Sequence, residues 1–422
     1  MGEPLLDVRD LRVYFPVFKG FVQRLLGGGE TVVHAVDGVS FSIEEGEVFG
    51  LVGESGCGKS TIAKTLVGLV RPTSGKILFR GEDVTGMDRQ TLFRLRERIQ
   101  MVHQDAHAAL SPAMTIGEAI ADVFRAHGII SEAGERVPVR SDALLRKAVL
   151  GVLSDVGLRP PEFFYDKYPD ELSGGQKQRV VAARVLALRP RIIVADEPVA
   201  MLDMSIRARM LEFLLELKER HKLTYLFITH DLATAKFMCD RIAIMYLGRI
   251  VEMGPADTIY ADPKHPYTRA LLQAIPIPDP ERRRERVLPQ GEVPNAVWPP
   301  LGCRFHPRCP AALATCGWEG RDFVTFLEER WLSPETAQAE TDIGPVERWQ
   351  ADGLVASREV GDADPAVLSE RVRKMLSDER GPMAQAIESV HPEADSVVVR
   401  FQPPDALEVK TVSGRLVECL LY

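Results

Sequence analysis

The chain has 422 residues, of which 45% are hydrophobic and 27% charged, with a formal net charge of −8. A chain of that length and balance buries real cores in about two to four globular domains, and it is not a disordered or fibrous sequence. Net acidity leaves no global electrostatic footprint for nucleic acid, and its one basic cluster, Arg282-Arg283-Arg284, lies between Glu281 and Glu285 and reads as a solvated linker.

Met1 to Asp10 has neither the basic start nor the apolar core of a signal peptide, and residue 6 is Leu where a myristoylation motif needs Ser or Thr. Leu5 to Phe15 reads as a strand that leaves Tyr14 and Phe15 ahead of Pro16. Beyond Gly27-Gly28-Gly29, a strand-rich stretch from Val32 to Ile43 turns at Glu45-Gly46 into the apolar run Val48 to Val52. Then comes Gly53-Glu54-Ser55-Gly56-Cys57-Gly58-Lys59-Ser60-Thr61, opening into Ile62 to Leu66. Strand, glycine-rich turn and helix in that order are the setting a phosphate-binding loop requires. Glycines let successive N–H groups point at a polyphosphate, and the helix start offers its own unpaired donors. Lys59 then reaches the terminal phosphates and the Ser60 hydroxyl ligates Mg²⁺.

Lys76 to Phe79 reads as another strand, so the beginning of the chain is a mixed sheet around one nucleotide site. From Asp88 to about Lys167 the periodicity is helical, with apolar spacing in Leu92 to Ile99, Ile116 to Phe124 and Ala143 to Val156. Inside it, Met101-Val102-His103-Gln104-Asp105 is an apolar strand with a polar end. Even the apolar stretch Val180 to Leu188 is interrupted by Arg184, well short of the roughly 20 residues a spanning helix needs. Leu172-Ser173-Gly174-Gly175-Gln176-Lys177-Gln178-Arg179 precedes a helix expected over Val180 to Leu188 and makes a second anion-binding terminus that a single nucleotide site does not use. Arg191 to Pro198 is a buried strand delivering Asp196 and Glu197, which suits a water-mediated Mg²⁺ contact and a general base. The apolar strand Thr224 to Thr229 ends in His230-Asp231, where a histidine can approach the same phosphate.

Gly53 to Thr61, Gln104, Leu172 to Gln176, Ile192 to Glu197, Leu202-Asp203 and His230, in that order, resemble the nucleotide-binding subunit of an ATP-binding cassette transporter, over about residues 5 to 260. The resemblance implies an α/β fold: a RecA-like core with an antiparallel β subdomain and a helical subdomain at about 105–172. It implies two such domains paired head to tail, each signature loop capping the ATP held by the other. Gly53, Ser55, Gly56, Cys57, Gly58, Lys59, Ser60 and Thr61 then cradle the nucleotide, with Phe15 stacking on adenine and Tyr14 its competitor. Mg²⁺ falls to Ser60, Gln104 and Asp196, and Gln104 also lines the transmembrane contact. Catalysis falls to Glu197, His230, Gln104 and Lys59, while Ser173, Gly174, Gly175, Gln176 and Asp203 belong to the shared interface. His103, and Ala200-Met201 before Leu202-Asp203, depart from the family's usual spelling without touching a catalytic role.

Asp262-Pro263-Lys264-His265-Pro266-Tyr267-Thr268-Arg269-Ala270-Leu271-Leu272 resembles the signature following the cassette in oligopeptide and dipeptide importers. That branch implies two permease subunits, a second ATPase subunit that is the same chain or a paralogue, an extracytoplasmic binding protein, and a peripheral place on the cytoplasmic face of the membrane. Sugars, nickel or glutathione are alternative cargoes, and a soluble cassette ATPase of translation or DNA repair is the alternative class. One cassette and no sustained heptad run favour the importer.

Cys303, Cys309 and Cys316 crowd a proline-rich stretch with little helix or strand pattern, which suits soft-metal ligation. The importer branch implies a [4Fe–4S] cluster there, with Cys419 as a displaced fourth ligand; reduced thiols, or Zn²⁺ assisted by His306, are the alternatives. The expected domains are 1–262, a cysteine-containing extension at 263–349, and an inserted α+β segment at 350–422. Within the last, helices are expected from Asp364 to Asp378 and from Met383 to Val390, and strands over Ser396 to Phe401, Leu407 to Val412 and Leu416 to Leu420.

Overall fold

The computed structural model describes residues 3–17, 31–102, 109–130, 136–200, 202–275, 289, 291–361 and 364–422. Gln104, His103, the Arg282 to Arg284 cluster and Gly27 to Gly29 lie outside the described residues. The chain divides into two compact units, Met1–Asp262 and Pro263–Tyr422.

In the first unit, β1 (Leu6–Pro16) pairs antiparallel with β2 (Val32–Ile43) on one side and with β4 (Ser74–Phe79) on the other, and β4 turns back into the short β5 (Glu82–Asp83). A second sheet is built around β3 (Val48–Val52). Six of its strands run in the order β12-β11-β3-β10-β9-β6, where β6 is Ile99–Val102, β9 Ile192–Asp196, β10 Thr224–Thr229, β11 Arg241–Tyr246 and β12 Arg249–Pro255. The pairs β3 with β10, β10 with β9, β9 with β6 and β3 with β11 are all parallel. Parallel strands covered on both faces read as unbroken apolar runs, and β3, β9 and β10 are buried along their whole length.

The helix Lys59–Leu66 lies between the two sheets. Its Ile62, Ala63 and Leu66 share one core with Leu6, Val8, Phe41 and Ile43 of the antiparallel sheet and with Leu51, Val194, Leu226 and Ile228 of the parallel one. Phe41 and Phe49 stack across this core with ring centroids 5.1 Å apart. The helical segment has the elements its periodicity predicts. Arg89–Arg98 is capped by Asp88, Ile116–His127 by a Thr115–Glu118 capping box, and Asp142–Asp155 by Ser141. A two-stranded hairpin, β7 (Ile129–Ile130) with β8 (Arg136–Val137), joins the last two.

The helix carrying the signature residues differs from the expectation. It runs over Gly174–Leu186, so it starts six residues before Val180. Ser173 is its N-cap: the Gln176 N–H donates to Ser173 Oγ at 3.4 Å and the Ser173 N–H donates to Gln176 Oε1 at 2.9 Å. The reciprocal cap supplies what two first-turn glycines would otherwise lack.

In the second unit, β13 (Trp349–Asp352), β14 (Val355–Glu359), β16 (Ser396–Phe401) and β15 (Ile387–Glu393) form an antiparallel sheet in the order β13-β14-β16-β15. Phe323 and Leu327 of the helix Gly320–Arg330, and Leu368 and Val372 of the helix Pro365–Ser377, share a core with Ala356, Val397, Val399 and Phe401 of the sheet. Residues on both sides of position 350 therefore contribute to one core. The helix expected over Met383 to Val390 is only Pro382–Gln385, and Ile387 onward is strand. Pairing of β15 with β16 across the turn at Ala394-Asp395 overrides the local helical pattern. The remaining hairpin, β17 (Val409–Val412) with β18 (Arg415–Glu418), turns at Ser413-Gly414, both at positive φ as a tight hairpin requires.

Candidate functional site: a phosphate loop at the end of a parallel sheet

Register decides what meets at this site. Val52 pairs with Thr229, and Ile228 pairs with Asp196, so β3, β10 and β9 stop level with one another and deliver Gly53, His230 and Asp196-Glu197 to one edge. Ligands of open α/β sheets sit at that carboxyl edge.

Two of the loop's three glycines leave no room for a side chain. A Cβ on Gly53 would lie 2.1 Å from the Met245 carbonyl oxygen, and one on Gly58 would lie 2.1 Å from that of Ala35. Gly58 also has φ +108 and caps the helix Lys59–Leu66, and Gly56 has φ +82. Lys59 is buried, and its Nζ donates to the carbonyl oxygens of Gly53 at 2.7 Å and Glu54 at 2.8 Å. The ammonium is thereby held over the loop it belongs to. Burial pushes the adjacent Cys57 thiol above the usual thiol range, with Lys59 opposing the shift, so Cys57 serves as a packed neutral group.

Ser60 Oγ donates to Asp196 Oδ1 at 3.2 Å, which joins the loop to the end of β9. Burial raises the Asp196 pKa; the Ser60 hydrogen bond works against that and the charge of Glu197 works with it. A hydroxyl and a carboxylate are hard oxygen donors, so the chemistry of the pair fits Mg²⁺. Glu197 follows with φ 49, a left-handed conformation rare for a non-glycine residue, while its N–H donates to the Ile228 carbonyl at 3.0 Å. His230 Nδ1 lies 3.0 Å from Glu197 Oε1, with the carboxylate largely buried and the imidazole half exposed.

The other expected residues sit as follows. Phe15, 39% exposed, pairs with Val33 two residues along β2 from the Ala35 that abuts Gly58. Tyr14 donates to Asp37 Oδ1 at 2.5 Å and packs on His34, with ring centroids 4.4 Å apart. Ser173 and Gln176 bond to each other. Gly174 and Gly175 face Leu202 and Ile206, at 4.0 and 3.6 Å from an added Cβ. Asp203 opens the helix Met204–His221, its carbonyl accepting from the N–H groups of Ile206 and Arg207. One linking residue escaped the motif reading: Gln178 Nε2 donates to the Pro198 carbonyl at 2.8 Å, tying the signature helix to the turn after Glu197. The only sequence signal for it is its place one turn after Gly174.

A profile of the ABC transporter family matches residues 36–200, and one described as the oligopeptide/dipeptide transporter C-terminal region matches residues 251–316. The oligopeptide transport ATP-binding protein AppF of Bacillus subtilis is 43% identical over 319 residues, covering 74% of this chain and 92% of AppF. The chain belongs to the ATP-binding proteins of ABC transporters. It is an ATPase. OppF of Salmonella typhimurium, an oligopeptide transport ATP-binding protein, is 43% identical over 314 residues, covering 74% of this chain and 90% of its own. The structure of CbiO1 from Clostridium perfringens, part of the ABC transporter complex CbiONQ, superposes with a TM-score of 0.50 at 28% identity, over 62% of this chain and 92% of that one. No helix among the described residues is long and apolar enough to cross a membrane.

The profile match past the cassette also accounts for the proline-bracketed motif of the second unit. His265 is the N-cap of the helix Pro266–Ala274, its Nδ1 accepting from the Tyr267 N–H at 3.1 Å, which fixes it as the neutral tautomer. Complete burial agrees, holding its pKa down at about 3. Tyr267 and His265 both pack on Phe305, with ring centroids 5.3 and 5.9 Å away. Phe305 lies in the cysteine loop, so the motif is a mount for that loop.

Cys303, Cys309, Cys316 and Cys419 share one neighbourhood and perturb one another's ionisation. Burial pushes Cys303 up to about 12 and Cys309 up to about 11. Yet no three His, Cys, Asp or Glu side chains among the described residues are arranged to hold a metal ion, so the expected cluster ligation is not met by this geometry. His306, expected as an assisting ligand, is committed elsewhere: Nδ1 to the Cys303 carbonyl at 2.7 Å and Nε2 to Asp322 at 3.2 Å. Beside it, Glu319 is driven to about 7, first by burial and then by the charge of Asp322, against the pull of Arg321 and His306.

Two outcomes follow from this geometry. Gly58→Ala should abolish the rise in melting temperature that saturating ATP produces in the wild-type chain, because the new methyl collides with the Ala35 carbonyl; a wild-type shift would refute the close approach. Glu319 is protonated more readily folded than unfolded, so its contribution to stability is full below pH about 4.5 and is lost as pH rises through about 7. Urea unfolding across that window should show the decline, and Glu319→Gln should flatten it and leave the protein more stable than wild type at pH 8.

Proposed function

We propose that this chain is the energy-converting subunit of an importer for oligopeptides or dipeptides, working at the cytoplasmic face of the membrane with two permease subunits, a second cassette and an external binding protein. The observation that carries the reading is the paired contact at the sheet edge, Ser60 to Asp196 and Glu197 to His230, at the mouth of the phosphate loop. Support for peptides as cargo comes from the match of residues 251–316 to the oligopeptide/dipeptide transporter C-terminal region and from the names of AppF and OppF.

In this reading Phe15 stacks on the base, while Gly53, Ser55, Gly56, Cys57, Gly58 and Thr61 shape the loop whose N–H groups surround the phosphates. Lys59 exchanges the loop carbonyls for phosphate oxygens. Ser60 and Asp196, with Gln104 outside the described residues, would hold Mg²⁺, which would supply charge neutralisation for the phosphates. Glu197 accepts a proton from the attacking water, and His230, bonded to Glu197, holds that carboxylate and the terminal phosphate in line. Ser173 to Gln176, at a capped helix start with Ser173 and Gly174 exposed, and Asp203 close the site of the partner cassette. The permease is assigned to a groove of about 610 Å³ lined by Phe93, Met101, Ala126, His127, Arg184 and Val185, flanking the segment that contains Gln104.

For the cysteines we propose [4Fe–4S] ligation by Cys303, Cys309, Cys316 and Cys419. It is supported by four thiols gathered in one unit and opposed by their described geometry. Iron and sulfide analysis of anaerobically purified protein should find both; colourless protein lacking iron and sulfide removes the cluster. For the ATPase site, Glu197→Gln should bind ATP within a few-fold of wild type while turnover falls about 10²- to 10⁴-fold. Turnover at the wild-type rate would overturn the assignment.

A further inference from the structure

Asp231, the residue that follows His230, is tied to its surroundings through both its backbone and its carboxylate. The Asp231 N–H donates to Thr229 Oγ1 at 3.0 Å, and Asp231 Oδ1 accepts from the Ala233 N–H at 2.9 Å, capping the helix Leu232–Met238. Its second oxygen, Oδ2, accepts from Thr234 Oγ1 at 2.6 Å and faces Arg207 Nη1 at 3.7 Å. Arg207 belongs to a different element, the second turn of the helix Met204–His221, and its Nη2 donates to the Leu202 carbonyl at 3.4 Å. One guanidinium therefore spans the Leu202-Asp203 segment and the carboxylate adjoining His230, and only a planar fork with donors on two edges can do both. Leu202 is also the side chain nearest Gly174, so the segment held by Arg207 lies against the signature helix.

We propose that Arg207 and Asp231 are a positioning couple that sets His230 against Glu197 and transmits displacement of the Leu202-Asp203 segment to it. Neither residue contacts the phosphate loop in the bonds described for them. The couple makes turnover respond to the state of a segment outside the phosphate loop while leaving nucleotide binding alone. This rests on the reading that Glu197 and His230 serve ATP hydrolysis.

The test is steady-state ATP hydrolysis by the full-length chain in the assembled transporter. Arg207→Ala should lower kcat about five- to twentyfold with the KM for ATP unchanged within twofold, since misorientation slows the step without weakening binding. Arg207→Lys, which keeps the charge and loses the fork, should recover part of the loss. Adding Asp231→Asn to Arg207→Ala should cost nothing beyond the more damaging single change, because both break one link. Wild-type kcat in Arg207→Ala, kcat and KM moving together, or losses that multiply in the double variant would each overturn the couple. Should Arg207→Ala fail to fold, Arg207→Lys and Arg207→Gln carry the same comparison. His230→Ala separates the two levels. If it hydrolyses ATP normally the underlying reading fails, whereas if it is inactive and Arg207→Ala is normal only the couple fails.

Discussion

Three parallel strands ending in register bring together groups that no local interaction could assemble. Gly53, Asp196-Glu197 and His230 are far apart in the chain, and each lies at or just past the end of a strand whose neighbours are fixed by the pairing of Val52 with Thr229 and of Ile228 with Asp196. A slip of one residue in either ladder would turn the side chains of that strand to the opposite face. Full burial of β3, β9 and β10 makes such a slip expensive. Precision at the edge therefore derives from apolar packing in the sheet, and the helix Lys59–Leu66 shares that same core through Ile62, Ala63 and Leu66.

The site is held away from its own local optimum. Glu197 occupies a left-handed backbone conformation, and such residues cost about 1–3 kcal/mol each when the surroundings hold them there. Asp196 is buried beside the like charge of Glu197, and burial raises its pKa. Lys59 is buried against two carbonyl oxygens, a partial replacement for water that an anion can improve upon.

Much of the fold was legible because its signals are local. The helices Arg89–Arg98, Ile116–His127 and Asp142–Asp155 follow from apolar spacing and from capping residues written next to them: Asp88, Thr115 with Glu118, and Ser141. Ser396–Phe401 and the helix Pro365–Ser377 were equally plain. Two elements differ from what their local pattern predicts. The helix at Gly174 begins six residues before the expected Val180, because a reciprocal cap between Ser173 and Gln176 outweighs the poor helix propensity of paired glycines. Ile387–Glu393 is strand despite a helical pattern, because its hydrogen bonds to Ser396–Phe401 are available only in that form.

The sequence by itself determined the identity of the chemistry. A glycine-rich turn between strand and helix, a strand ending in two carboxylates and another ending in histidine are each spelled over a few adjacent residues, so their meaning survives without coordinates. Only the tertiary structure decided how those parts are joined. The bond from Ser60 to Asp196, the bond from Tyr14 to Asp37, and the Arg207 link to Asp231 depend on side chains from separate elements converging within about 4 Å. Convergence of that kind is a property of strand order and register, which long-range packing sets and which no short stretch of residues encodes.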